Sequence, residues 1–244
     1  MYEQLSRPSG VLTRALRRRA MRRMPLPGLA RMRNRLLAER AETGALLTEV
    51  EARIEAAAPA TPIPRPLHAD WVWRPEPWVA RLSPAGLVAP ESGARLAENL
   101  AVYHDCPLRE TAVRQIAGIA GPAPLALAVD VFGFAGRFLS FAVDLPATGC
   151  ARLGADSIVA VTPAVESCAP VATVARLNLR QGTDHRSLTR GVVSGAAAEF
   201  DLAAAGLDSR PVAAAWLDLI FEAPGRNRIV VLDLVLTRRP RAAI

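Results

Sequence analysis

The sequence predicts a mainly β protein, an antiparallel two-sheet β-sandwich preceded by an N-terminal α-helical arm. Three observations predict it. Beyond Ala97, apolar–polar alternation recurs in short runs bounded by Gly, Pro, Asn or Asp, with no helical period between them. Over the first 58 residues, apolar residues instead recur every three to four positions among arginines and glutamates. Between the two lies Pro59–Pro66, with four prolines in eight residues, a composition that favours an extended, semi-rigid spacer.

The elements follow in order. From Ser9 to Met24, Leu12, Leu16, Ala20 and Met24 fall four apart on one stripe, with Arg17, Arg18, Arg19, Arg22 and Arg23 around the remainder. This is the pattern of a short basic amphipathic helix, stopped by Pro25–Gly28. A second helix is expected from about Leu29 to Ala58, with Met32, Leu36, Leu47, Val50 and Ile54 near heptad spacing. It starts basic and ends acidic, with Glu39, Glu42, Glu49, Glu51 and Glu55 toward its C-terminus. That order opposes the helix macrodipole, so the charges point to contacts the helix makes rather than to its intrinsic stability.

The resulting division is a basic helical arm over 1–58, a linker over 59–66, a Trp-rich connecting segment over 67–97 and a β-sandwich over 98–244. In the connecting segment Trp71, Trp73 and Trp78 crowd into eight residues, and Trp-Val-Trp suits an edge strand stopped by Pro75 and Pro77. The cluster reads first as a packing plug and second as an aromatic ligand surface. In the sandwich, strands are expected at Asn99–His104, Leu125–Phe134, Arg137–Leu145, Ser157–Val161, Val171–Arg180, Ser187–Val193, Ala198–Leu202, Val212–Glu222 and Arg228–Thr237.

At 244 residues and 51% apolar composition the chain can bury a substantial core. All 30 basic residues are arginine, which reads as coding bias before chemistry. The net charge of +7 sits almost wholly in the arm, where residues 1–58 hold 12 Arg against 6 Glu. Cys106, Cys150 and Cys168 are isolated from one another, with no spacing typical of a zinc or redox site, and favour a reduced compartment during folding. The longest uncharged run, Gln115 to Val129, is 15 residues and broken by two prolines, so no membrane span is expected. The Arg-rich N-terminus mimics an organellar transit peptide, but synthesis in the cytoplasm as a soluble protein is the default.

Catalytic signals are weak. His68, His104 and His185 stand apart, so neither a metal site nor a His-based nucleophile pair is expected, and no cofactor. No nucleophile elbow, dinucleotide fingerprint or phosphate loop occurs; Gly133-Phe-Ala-Gly136 reads as a hairpin turn. The informative feature is a polar strand face. In ATVARLNLRQG, Arg176, Asn178 and Arg180 oppose Leu177 and Leu179. In WLDLIFE, Trp216, Asp218, Ile220 and Glu222 oppose Leu217, Leu219 and Phe221; in FLSFAVDL, Ser140 and Asp144 oppose Leu139, Phe141, Val143 and Leu145. Asp130 and Asp233 likewise interrupt apolar runs.

The arginines are therefore expected to share a sheet surface with carboxylates. This is either a solvated face with cross-strand ion pairs, a concave surface that binds a sugar or other polar ligand, or a protein interface. The candidate ligand residues are Asp144, Arg176, Asn178, Arg180, Trp216, Asp218 and Glu222. Asp218 and Glu222 lie about 13 Å apart along one strand, too far for the paired carboxyls of glycoside hydrolysis. A glycan-active enzyme using cross-strand carboxylates stays as an alternative. The arm, with ten arginines and no acid from Arg7 to Arg35, suits docking on an acidic protein surface, with nucleic-acid association as the alternative.

The blocks FAGRFLSFAVDLP, ARLNLRQG and AWLDLIFEAPGRNRIVVLDLVLTRRPRA resemble a family of α-proteobacterial proteins of unknown function, to which the head-spike proteins of gene transfer agents are similar. The resemblance spans roughly residues 98–241. Its most specific positions are Asp218, Phe221, Pro224, Asn227, Asp233 and Arg238-Arg-Pro-Arg241. It implies a jelly-roll-like sandwich similar to carbohydrate-binding modules. It also implies a non-enzymatic component of a phage-like particle (a virion component) that recognises capsular polysaccharide on a recipient cell, or supports a partner that does. The arm would then attach the chain to capsid or other particle proteins, in a multi-copy assembly.

Overall fold

The computed structural model describes residues 24–57, 63, 65–118 and 122–241. The expected basic helix, with Leu12, Leu16, Arg17, Arg18, Arg19, Arg22 and Arg23, lies outside the described residues, as does most of the Pro-rich linker. Two compact units divide at Ala57 and Ala58.

The first unit contributes one 32-residue helix, α1 (Leu26–Ala57). It begins three residues before the expected start because Pro27 is tolerated in a first helical turn, where an N–H would have no partner. The N–H groups of Gly28 and Leu29 both donate to the Pro25 carbonyl, at 2.8 and 3.1 Å. Spaced pairs Arg35–Glu39 and Arg53–Glu49, each 2.9 Å, brace the exposed surface.

The second unit is a sandwich of two antiparallel sheets. Its strands are β1 (Trp71–Trp73), β2 (Gly86–Val88), β3 (Ala94–Ala97), β4 (Leu100–His104), β5 (Glu110–Ala117), β6 (Leu125–Gly133), β7 (Phe138–Asp144), β8 (Ser157–Ser167), β9 (Ala172–Gln181), β10 (Asp184–Gly191), β11 (Ala198–Asp201), β12 (Ala214–Glu222) and β13 (Asn227–Pro240). One sheet runs β11-β8-β13-β6-β5-β2, with β1 also on β13; the other runs β10-β9-β12-β7-β4-β3. From β6 to β9 each successive strand lies in the opposite sheet, the jelly-roll-like connectivity the strand pattern could not specify.

The core forms where the inward parities of the two sheets meet. Leu177, Leu179, Leu217, Leu219, Phe221, Leu139, Phe141 and Val143 are fully buried from one side, and Leu127, Val129, Val159, Val161, Ile229 and Leu234 from the other. Phe141 and Phe221 meet edge to face at 6.0 Å and 89°.

Several expectations are corrected. β1 is the strand expected at Trp71–Trp73, but β2 and β3, from the rest of the segment read as a connector, are strands of the sheets as well. β5 escaped notice because its Glu110, Arg114 and Gln115 dilute the alternation. β8 continues six residues past Val161 through Pro163. It can do so because the Pro163 side turned away from β13 lies beyond the end of β11, where its missing N–H leaves no ladder bond unmade, and the Pro163 carbonyl there accepts from Gly195 N–H at 2.8 Å.

Gly133–Gly136 is not a hairpin turn but a crossover between sheets. Asp105 holds it: one carboxylate oxygen accepts from Arg137 N–H (2.7 Å) and Phe138 N–H (3.1 Å), the other from Arg137 Nε (3.0 Å). Gly136 is required, since a Cβ there would meet Cys106 N at 2.8 Å. A two-residue hairpin turn instead follows β9, with Gly182 at φ 58°.

The Phe138 N–H bond, with help from Arg137, holds the Asp105 carboxyl below its usual range. A depressed carboxyl stabilises the fold above the unfolded-chain value of about 3.9 and loses that contribution as pH falls through the folded value. Asp105→Asn is therefore expected to lower stability at pH 7 and to flatten its fall below about pH 4, read from urea unfolding midpoints across pH.

The Trp-rich segment plugs a discontinuity in β13. That strand pairs with β6 up to Val231 and with β1 from Leu236, with a register shift between Val231 and Asp233. Fully buried Trp78 donates its indole N–H to the Val231 carbonyl at 2.9 Å. Buried Arg74 clamps Asp233 through two bonds of 2.8 and 2.9 Å, and Asp233 also accepts from Leu234 N–H. Trp71 and Trp73, half-buried, stack at 5.9 Å.

Candidate functional site

The even-numbered residues of β7, β9 and β12 form the outer face of the second sheet, and strand register decides which of them meet. Asp218 lies opposite Arg176 on β9 and Ala142 on β7; Ala142 lies opposite Ala101 on β4, and Ala101 opposite Arg95 on β3. Five strands therefore carry one row, Arg95–Ala101–Ala142–Asp218–Arg176, about 19 Å long at the usual strand spacing. The next row is Asp144–Trp216–Asn178–Ser187.

Small residues floor the middle of this face and leave a trough of about 310 Å³, lined by Ala101, Ser140 and Ala142 and walled by Arg95, Tyr103, Asp144, Arg176, Trp216 and Asp218. This is near the lower size limit of small-ligand sites. Arg176 reaches one oxygen of Asp218 with Nε (3.0 Å) and Nη2 (2.8 Å), and the buried Asn178 amide donates to that same oxygen at 2.9 Å. The other Asp218 oxygen, Oδ1, accepts nothing from the described residues. Across the floor, both terminal nitrogens of Arg95 lie 3.3 Å from Asp144. Trp216 stacks on His185, centroids 5.0 Å apart and planes at 14°.

The structure thus brings Asp144, Arg176, Asn178, Trp216 and Asp218 together. It does not bring Glu222 into the group: Glu222 is exposed at the far end of β12, opposite Phe138, with no ion pair among the described residues. Arg180 lies two residues beyond Asn178, opposite His185, and its exposed guanidinium has no carboxylate partner among the described residues. Sequence reasoning missed Arg95, Tyr103 and His185. His185 gave little signal, since HRSLTR holds one apolar residue, Leu188, and β10 starts three residues before the expected strand at Ser187. Asp130, on the other sheet, pairs with Arg114 at 3.1 Å.

Cys106 and Cys150 are buried and Cys168 exposed, all as free thiols. Among the described residues no cluster of His, Cys, Asp and Glu is arranged to hold a metal ion, and no helix is long and apolar enough to cross a membrane.

Residues 6–244 match the model of a family described as a family of unknown function, DUF6478. The chain belongs to that family. No curated protein matches this family member. Among solved structures it is similar to the enzymatically active domain of tailspike protein 4 from bacteriophage CBA120, at 7% identity and a TM-score of 0.38, covering 57% of this chain and 19% of that one. The match thus spans about a fifth of that tailspike domain's length. It is also similar to a family 11 carbohydrate-binding module from Clostridium thermocellum, at 10% identity and a TM-score of 0.38, over 62% and 95% of the two chains. A xylan-binding domain from Paenibacillus barcinonensis matches at 11% identity and a TM-score of 0.36, over 65% and 94%.

Proposed function

We propose that this family member is a non-enzymatic glycan-binding protein whose ligand lies in the trough of the second sheet. One observation carries the reading: an exposed groove floored by Ala and Ser, with an aromatic ring on its wall and an Arg–carboxylate couple on each side. A sugar ring presents an apolar face that packs on an aromatic plane and hydroxyls that both donate and accept. Trp216, held flat by His185, supplies the plane. Asp218 Oδ1 and Asp144 supply acceptors, and Arg95 and Arg176 supply donors, already oriented by their mutual bonds.

Both carboxylates in the trough accept from a guanidinium, and Glu222 stands apart. This supports binding over hydrolysis.

The test is binding of the full chain to a panel of polysaccharides by affinity electrophoresis, then calorimetry on the best ligand. Trp216→Ala and Asp218→Ala are each expected to weaken binding tenfold or more, about 1.4 kcal/mol. Phe132→Ala, exposed on the other sheet, should change nothing. Equal binding by the Trp216 and Asp218 variants would sink the proposal, and release of reducing ends would revive the enzyme.

In keeping with the resemblance of the C-terminal blocks to head-spike proteins of gene transfer agents, the wider role we propose is a phage-like particle component that recognises cell-surface polysaccharide, with the arm as its attachment. Mass spectrometry of purified particles tests it: the chain should be present, and a chain lacking residues 1–58 absent.

A further inference from the structure

We infer that α1 is a self-association element: two copies of this chain pair through it, with the helices antiparallel. Along α1, Leu29, Met32, Leu36, Thr43, Leu47 and Val50 fall within a narrow stripe at the helical period. Leu36, Leu47 and Val50 are 53%, 57% and 52% exposed, so nothing on α1 itself covers the stripe. A helix of this kind gains most of its stability from packing an apolar face, not from propensity.

The charges say what covers it. Residues 26–41 hold Arg31, Arg33, Arg35 and Arg40 against Glu39; residues 42–57 hold Glu42, Glu49, Glu51 and Glu55 against Arg53. Within one helix this order is unfavourable, since positive charge gathers at the positive end of the macrodipole, with no acid in the first turn and no base in the last. A second copy laid antiparallel reverses the sign of both effects. The basic half of each helix then lies along the acidic half of the other, and each N-terminus lies beside a C-terminus. A parallel pair would set like charges side by side over the whole length of about 48 Å.

Turning one helix about the midpoint between Ala41 and Glu42 also aligns the stripe. Leu36 of each copy meets Leu47 of the other, and Thr43 meets Arg40, a polar layer at the centre that fixes register and orientation.

The experiment uses the full chain carrying Cys168→Ser, which removes the exposed thiol. Light scattering at micromolar concentration should give twice the chain mass, and Leu36→Glu with Leu47→Glu should give a single chain with an unchanged near-UV spectrum of the sandwich tryptophans. Reversal of Arg31, Arg33 and Arg35 to Glu should weaken association at least tenfold. Orientation is read by oxidation: Leu36→Cys should crosslink when mixed with Leu47→Cys, which it meets in the antiparallel pair, and not to itself. A monomeric parent, a dimer that survives the Leu36→Glu with Leu47→Glu substitutions, or Leu36→Cys joined to itself would each overturn the inference.

Discussion

Trp78→Ala is expected to destabilise the sandwich by about 3–5 kcal/mol, the cost of emptying a large aromatic site from a packed core. The expected loss sits at the upper end because two effects act together. The indole is fully buried within the core, and its N–H is the partner of the Val231 carbonyl at the point where β13 changes neighbours. Alanine leaves both a cavity and a buried acceptor without its donor. Urea unfolding of the full chain measures it. A loss under 1 kcal/mol would mean that the Trp-rich segment only decorates the sandwich. Trp78→Phe separates the parts: it restores most of the volume but not the bond, and should recover more than half of the loss.

Asp233→Ala should cost about 3–5 kcal/mol as well, through charge instead of volume. The Arg74 guanidinium is 2% exposed and Asp233 6%, and the two meet side-on through a pair of short bonds. Removing the carboxylate takes away the two short bonds that hold the buried Arg74 guanidinium to Asp233, and leaves the Leu234 N–H without the oxygen it donates to. Replacing both partners by apolar residues removes the buried guanidinium together with the carboxylate, so Arg74→Met with Asp233→Leu should be more stable than Asp233→Ala alone. A double variant no better than the single one would show that the specific bonds, not charge burial, set the cost. A second cross-chain clamp, Arg238 on Asp70 at 2.9 Å with a further bond to the Gly149 carbonyl, ties the other end of the same segment to β13.

What could be read from the residues alone was everything with a local period. Leu217, Leu219 and Phe221 turn inward and Trp216 and Asp218 outward because successive side chains of any strand alternate, whatever its neighbours. The polar face, the sandwich and the second helix of the arm all rest on such periods, and the structure has them. The start of that helix did not follow, because Pro27 terminates a preceding helix or opens a following one with equal ease.

Tertiary structure decided every partner. Arg176 meets Asp218 because β9 and β12 are neighbours in that register, and a shift by one residue would have turned Arg176 to the core. Arg95 and Tyr103 belong to the trough because β3 and β4 extend the same sheet, though neither strand carries a polar run long enough to announce itself. Arg74 and Asp233, 159 residues apart, meet only because β13 breaks its pairing between β6 and β1. Alternation is a property of one backbone and is written residue by residue. Strand order and register are set by how all the apolar faces pack together, and no single segment of the sequence contains that information.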